Sequence, residues 1–188
     1  MTTSVPTLAS MPSWVAYLPL MPTVPFESLP DLARLWVFAS SRPLTAPEER
    51  QLLEEVDGFL EEWRAHGEPL TSARDWREHR FLSVAVDQRD AHASGCSIDG
   101  LYRVLKAAEQ RLGTRLLGGG TIHFRTPSGE IEALSREEFA DAAERGEVTR
   151  NTTVFDLTAG SVGEWLSEFE KPAGRSWHAQ LLPAANTA

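Results

Sequence analysis

The chain has 188 residues, of which 41% are hydrophobic and 24% are charged. This composition is ordinary for a globular protein with a buried core, and it excludes a fibrous or largely disordered class. The 27 acidic residues outnumber the 18 basic ones, and the net charge of -9 repels nucleic-acid phosphates and anionic lipid surfaces. The single cysteine excludes an internal disulfide and a multi-cysteine zinc or iron–sulfur centre. We therefore expect no nucleic-acid partner, no membrane contact, no metal and no cofactor.

The first 30 residues contain half of the twelve prolines, which excludes a regular helix or a central strand there. We interpret residues 1–30 as a proline-rich arm. Its apolar residues, such as Trp14 and Tyr17, indicate contact with a surface: either the arm lies across its own domain or it docks onto a partner protein. The apolar run around Trp14 is too short for a membrane span and lacks a basic flank, so we expect a cytoplasmic location.

Local signals define the first strand and the first helix. Strand-forming residues fill 34–39 and are followed by serines and a proline, which predicts a strand. Thr45 and Glu48 form a capping box, and apolar residues then recur at helical spacing as far as the stretch 63–67. We expect that stretch to close the helix, with Gly67 as its stop.

Similar signals predict the later elements. Arg74, Arg77 and Arg80 alternate with acidic residues, and we interpret this run as a solvated surface of mixed charge. The predicted elements are a buried strand over 80–87, a helix over 97–112, a hairpin of 121–125 with 130–134, a short helix opening at the Ser135 capping box, a strand over 152–156 and a helix over 162–170.

This order of strands and helices indicates an α+β (or α/β) fold, in which helices pack on a mixed β-sheet of about five strands. We assign residues 31–182 to a single domain. Residues 183–188 are expected to form a disordered tail.

The only cysteine, Cys96, lies at the predicted start of the second long helix. Unpaired amides and the helix dipole stabilise a thiolate at that position, so Cys96 is a candidate nucleophile or redox centre. The nearby carboxylate of Asp99 opposes this effect by favouring the neutral thiol. A small buried thiol at a tight strand-to-helix connection has the same pattern, and the sequence leaves both interpretations open.

A catalytic cysteine needs a base, and the candidates are His92, just upstream, and His178 near the C-terminus. His178 is equally typical of a hydrogen-bonded histidine in a packed interior. Asp87 ends a predicted buried strand, where it either contacts a ligand or caps the following loop. The candidate binding residues are Asp87, Ser94, Gly95, Ser97, Asp99 and Trp177.

Short segments spread over the predicted domain carry a family resemblance: 34–38, 44–45, 63–67, 86–87, 93–99, 153–155 and 176–178. As a set they resemble a small bacterial protein family often labelled "ABC transporter ATPase". That label implies ATP hydrolysis, but the glycines 118–120 lead into a strand with no lysine after them, so they are not a phosphate loop and ATPase activity is not expected. The chain departs from the family at these glycines and at residues 156–157.

A shorter likeness links residues 134–156 to bacterial GYF-like peptide-binding domains and implies a binding module. Because no complete catalytic motif is present, we expect a non-enzymatic protein-interaction or accessory module whose arm contacts a protein partner. The alternative is a thiol-dependent enzyme or redox protein that uses Cys96. The sequence names no substrate or partner, and it does not decide between these two classes.

Overall fold

A computed structural model describes residues 23–65, 67–89 and 95–184, and of residues 95–97 only the backbone. Within these ranges nine strands and four α-helices confirm the α+β class. The strands are β1 (Arg34–Ala39), β2 (Arg64–Ala65), β3 (Glu68–Pro69), β4 (Ser72–Arg77), β5 (Phe81–Val86), β6 (Thr121–Arg125), β7 (Ile131–Ser135), β8 (Thr153–Phe155) and β9 (Glu170–Pro172). The helices are α1 (Ala46–Glu61), α2 (Gly95–Leu112), α3 (Arg136–Glu144) and α4 (Val162–Glu168).

The described strands form three sheets rather than the single mixed sheet that the sequence predicts. β5 lies between β1 and β4 and runs antiparallel to both. A second sheet has the order β7–β6–β8–β9 with every pair antiparallel, and β2 pairs with β3 alone. Short turns connect β4 to β5 and β6 to β7, and such turns permit only antiparallel pairing.

Strand β4 was not predicted, because charged residues interrupt its hydrophobic pattern. Arg74 donates to Asp57 of α1 over 2.7 Å, and Arg77 donates to Asp75 over 2.7 Å. These pairs neutralise charge at the edge of the sheet. The interpretation of this run as a solvated surface is wrong for Arg80, which is only 6% exposed.

Helix α1 begins at its predicted capping box, where the Thr45 amide donates to Glu48 Oε2 over 2.8 Å. The predicted end of this helix is wrong, because α1 stops at Glu61 and β2 and β3 follow as a small hairpin. Gly67 has a φ of +89° in the connection, a conformation that favours glycine. Trp63 lies beyond the helix and is buried.

Three apolar clusters form the described core. α1 and α2 pack on one face of the β1–β5–β4 sheet, where Leu52 is fully buried. The other face carries α4 together with Phe26 and Leu29, so the end of the predicted arm belongs to the core. Residues 1–22 of that arm lie outside the described residues. The third cluster surrounds Phe139, between the four-stranded sheet and α3.

The C-terminal half follows its predicted elements closely. β6 and β7 form the predicted hairpin, and the capping box at Ser135 starts α3, since the Glu138 amide donates to Ser135 Oγ over 3.2 Å. β9 was not predicted, because it has only three residues and ends in Pro172. Residues 185–188 of the predicted tail lie outside the described residues.

Candidate functional site

The two larger sheets meet at Phe81. Its ring stacks on Phe155 of β8 with the centroids 4.7 Å apart, and it stands edge-on to His123 of β6 at 5.2 Å. Phe81 pairs with Ala39 at the end of β1, so this junction lies at one end of the first sheet. Two cavities lie beside it, and both have Ala39 in their walls. Together they form the candidate site.

The larger of these cavities, which we name the Trp177 cavity, has a volume of about 300 Å³. The rings of Phe38 and Tyr102 contribute to its wall and meet edge to face, with centroids 5.7 Å apart. Tyr102 is 42% exposed. Arg136 also lines the cavity, and its guanidinium lies 4.8 Å from the centroid of the Trp177 ring. The cavity therefore combines ring faces with a cation at its wall.

Trp177 also supplies an unpaired donor. Its Nε1 is buried and has no hydrogen-bond partner among the described residues. A buried N–H without an acceptor costs free energy, which a ligand oxygen would recover.

His178 lies in the wall of the same cavity. It is 1% exposed, its Nδ1 lies 2.8 Å from Ser176 Oγ, and its ring stacks on that of Trp177 with centroids 3.8 Å apart. Burial lowers the pKa of His178 to about 4, and the charges of Lys171 and Arg136 act in the same direction, while that of Asp156 opposes them. His178 is therefore neutral near pH 7, as expected of a packed histidine.

The smaller cavity, which we name the His123 cavity, has a volume of about 110 Å³ and shares Gly118 and Thr121 with the larger one. His123 is 2% exposed, and neither ring nitrogen forms a hydrogen bond of normal geometry with a described residue. Arg115 lines this cavity too, and within the described residues its guanidinium forms no ion pair. The cavity is thus lined by donors that lack acceptors.

Arg80 lies near His123. Burial and, to a smaller extent, the positive charge of Arg80 lower the pKa of His123 to about 4, although a hydrogen-bond contact with the backbone of Ser40 acts in the opposite direction. Burial also lowers the pKa of Arg80 itself, and its guanidinium has no hydrogen bond or ion pair with any described residue. Arg80 therefore places a positive charge near His123, and no described carboxylate lines the His123 cavity itself.

Asp87 lies away from this site. It follows Val86 at the opposite end of β5 from Phe81, and six strand residues span about 20 Å. Its Oδ1 accepts the Arg89 amide over 3.0 Å, and the side chain of Arg89 lowers the pKa of the carboxyl. This geometry agrees with the interpretation of Asp87 as a loop cap. The argument from the ends of parallel strands does not apply, because β5 is antiparallel to both neighbours.

The candidates around the cysteine are described only in part. α2 includes Cys96 as its second residue, but the side chains of Gly95, Cys96 and Ser97 lie outside the description, as do His92 and Ser94 altogether. Asp99 is exposed, and its backbone oxygen accepts Arg103 Nε over 3.3 Å. A catalytic role for Cys96 stays a prediction.

Sequence reasoning found Trp177 and His178 but missed Tyr102, Arg115 and His123. One signal was available for His123, which stands between Ile122 and Phe124 in a strand and so indicates burial on both faces of its sheet. Arg115 carried no such signal.

A larger cavity, of about 520 Å³, lies between the β6–β7 hairpin and α3. Four carboxylates line it, but Glu138 is engaged in the capping box and Glu147 pairs with Arg145 over 2.8 Å. None of the buried unpaired polar groups of the described residues lines this cavity. The two cavities beside Phe81 are therefore the stronger candidate.

No protein-family model, no curated protein and no solved structure matches this chain. The resemblance to the family labelled "ABC transporter ATPase" stays a prediction. Within the described residues, no helix has the length and apolar character needed to cross a bilayer.

Proposed function

We propose that this protein is a non-enzymatic protein-interaction module that receives an apolar side chain of a partner protein in the Trp177 cavity. The observation that carries the proposal is the unpaired, buried Nε1 of Trp177 in the wall of a 300 Å³ cavity. That volume lies at the lower end of the range for ligand pockets and is large enough for a single side chain.

The residue types around the cavity support a protein partner. Tyr102, Arg136 and Trp177 belong to the three types that contribute most to binding energy in protein interfaces. All three line the same cavity. The acceptor for Trp177 Nε1 is then a backbone or side-chain oxygen of the partner.

The chemistry of the site favours binding over catalysis. Ser176 and His178 lie within hydrogen-bond distance, as in a nucleophile–base pair. However, burial lowers the pKa of His178 to about 4, and a general base works best with a pKa near the operating pH. This pair therefore serves packing better than proton transfer.

Site-specific photo-crosslinking tests the proposal. A photoreactive phenylalanine analogue replaces Tyr102 in one variant and Leu166, an exposed residue of α4 outside the cavity wall, in a matched control. We expect a discrete crosslinked partner at position 102 and none at position 166. Equal crosslinking at both positions, or none at either, contradicts the proposal.

A second pair of variants tests the cavity itself. A Cβ on Gly119, in the cavity wall, or on Gly58, on α1, meets no atom within 4 Å. Gly119→Phe therefore adds a ring at the cavity wall without a clash at its Cβ, and Gly58→Phe adds the same ring elsewhere. The crosslink at Tyr102 is expected to disappear in Gly119→Phe and to persist in Gly58→Phe.

The remaining expectations enter the same proposal. Phe26 and Leu29 of the arm belong to the core, so the expected partner contact of the arm is restricted to residues 1–22, and deleting these residues is expected to weaken capture. We place the protein in the cytoplasm, which its single cysteine supports. The thiol-dependent alternative is tested separately, as described in the Discussion.

A further inference from the structure

Two donor side chains, His123 and Arg115, line the His123 cavity, and a third, Arg80, lies near His123 in the wall of a separate cavity. His123 is 2% exposed with both ring nitrogens unpaired, and Arg80 is 6% exposed with no partner for its guanidinium among the described residues. Arg115 lines the same cavity and forms no ion pair there. Burying an arginine without an anion costs free energy, so this arrangement needs a physical reason.

Negative charge is missing at this place, although the whole chain carries 27 acidic residues. Within the described part of the chain, no carboxylate lines either the His123 cavity or the Trp177 cavity. Glu78 and Glu130 share a separate cavity with Arg80, but Glu78 already accepts a hydrogen bond from Arg125 over 3.0 Å. The net negative charge of the protein therefore does not neutralise the cationic side chains at this site.

We propose that the His123 cavity is a subsite for one oxyanion, a carboxylate or phosphate group carried by the partner segment whose apolar side chain occupies the Trp177 cavity. The identity of the carrier rests on the proposed function, while the subsite itself rests on the unpaired donors. His123 donates one N–H to the anion, Arg115 supplies the opposite charge from the cavity wall, and Arg80 adds its charge from the neighbouring cavity.

The size of the two cavities fits such a ligand. A volume of 110 Å³ equals that of about four water molecules, which admits a single carboxylate or phosphate group but not a nucleotide. The two cavities share Ala39, Gly118 and Thr121, so one ligand reaches both. The partner is thus a segment that carries an acidic group close to an apolar side chain.

Anion titration of ¹⁵N-histidine-labelled protein tests the subsite. The probes are inorganic phosphate and sodium acetate at pH 7, with sodium chloride matching the ionic strength, and the His123 signals are assigned by their loss in His123→Leu. We expect a saturable shift of the His123 ring nitrogens with at least one probe and none with chloride. A response to phosphate alone indicates a phosphate ester, and a response to acetate indicates a carboxylate.

Charge variants give the matched control. Arg115→Gln removes one donor of the subsite and is expected to weaken anion binding about tenfold. Arg50→Gln removes the same charge from an exposed position that lines neither cavity, and is expected to leave binding unchanged. The proposed subsite is contradicted if no probe shifts the His123 ring signals, or if both variants weaken anion binding equally.

The outcomes also separate the two proposals. A crosslink at Tyr102 without any anion response at His123 overturns the subsite and leaves the proposed function standing. An anion response without a crosslink supports the subsite and overturns the proposed partner.

Discussion

The ring of His123 stands edge-on to Phe81, with centroids 5.2 Å apart and planes at 80°. Since His123 belongs to β6 and Phe81 to β5, this contact joins the two larger sheets. Phe155 of β8 also stacks on Phe81, with the ring centroids 4.7 Å apart. The candidate site is therefore built between two sheets rather than at the end of one strand.

The first prediction concerns this junction. Phe81 is fully buried and contacts three aromatic rings, so Phe81→Ala is expected to lower the free energy of unfolding by about 3–5 kcal/mol. Leu32→Ala, at a side chain that is 92% exposed, is the control and is expected to change it by less than about 0.5 kcal/mol. Urea denaturation measures the free energy of unfolding of both variants. Equal effects would show that Phe81 does not hold the junction.

The second prediction concerns the unpaired histidine. His123→Leu removes two buried nitrogens that lack partners and keeps an apolar side chain of similar size. We expect the free energy of unfolding at pH 7 to stay within about 1 kcal/mol of the original value or to rise. A loss of several kcal/mol in urea denaturation would mean that the ring nitrogens are hydrogen-bonded.

Burial of neutral histidines predicts a pH dependence. The pKa of both His123 and His178 is lowered to about 4, whereas a histidine in the unfolded chain titrates near 6.5. The unfolded chain therefore binds protons first as the pH falls, and stability is complete above about pH 6.5 and lost toward pH 4. From pH 7 to pH 5 each histidine is expected to cost about 2 kcal/mol.

The same variant checks this dependence. Between pH 7 and pH 5, His123→Leu is expected to become more stable relative to the original protein by about 2 kcal/mol, because it lacks one of the two titrating rings. Asp87 and Asp156 do not contribute to this difference. Their pKa values are lowered in the fold, so their effect on the free energy of unfolding appears below pH 5. A difference that is constant with pH contradicts a neutral, buried His123.

Features coded by neighbouring residues were predictable from the sequence. The capping boxes at Thr45 and Ser135 start helices where expected, because each needs only a hydroxyl and a glutamate three residues later. The pairing of strands was not predictable in this way. β4 was missed because Arg74, Asp75 and Arg77 obscure its pattern. Arg77 pairs with Asp75 nearby, but the partner of Arg74, Asp57 of α1, is identified only by the fold.

The site was predictable to a smaller extent. Trp177 and His178 stood out by residue type, and both line the larger cavity. Asp87, another candidate binding residue, follows the opposite end of β5 from this cavity. Arg115 and His123 come together only when β6 and the segment after α2 meet, a contact that no local pattern indicates.

The fourth prediction concerns the cysteine. If the protein is an interaction module, Cys96→Ser is expected to leave the crosslink at Tyr102 unchanged. The thiol-dependent alternative requires a thiol that reacts faster than a free cysteine at neutral pH, because the start of α2 favours its thiolate. The rate of Cys96 alkylation, followed as a function of pH, measures the reactivity of the thiol. A reactive thiol with a midpoint well below 8.5 would favour the alternative.

The last prediction follows from the uncompensated charge of Arg80. Arg80→Met keeps a long, flexible side chain but removes a largely buried cation that has no ion-pair partner among the described residues, so the free energy of unfolding is expected to rise by up to about 1 kcal/mol. An oxyanion that binds only the folded state stabilises the original protein by mass action, and this gain is expected to vanish in the variant. Thermal unfolding with and without phosphate measures both effects, with Arg50→Met as the exposed control that retains the gain. A less stable Arg80→Met variant that still responds to phosphate would mean that Arg80 is satisfied within the fold and does not serve the anion.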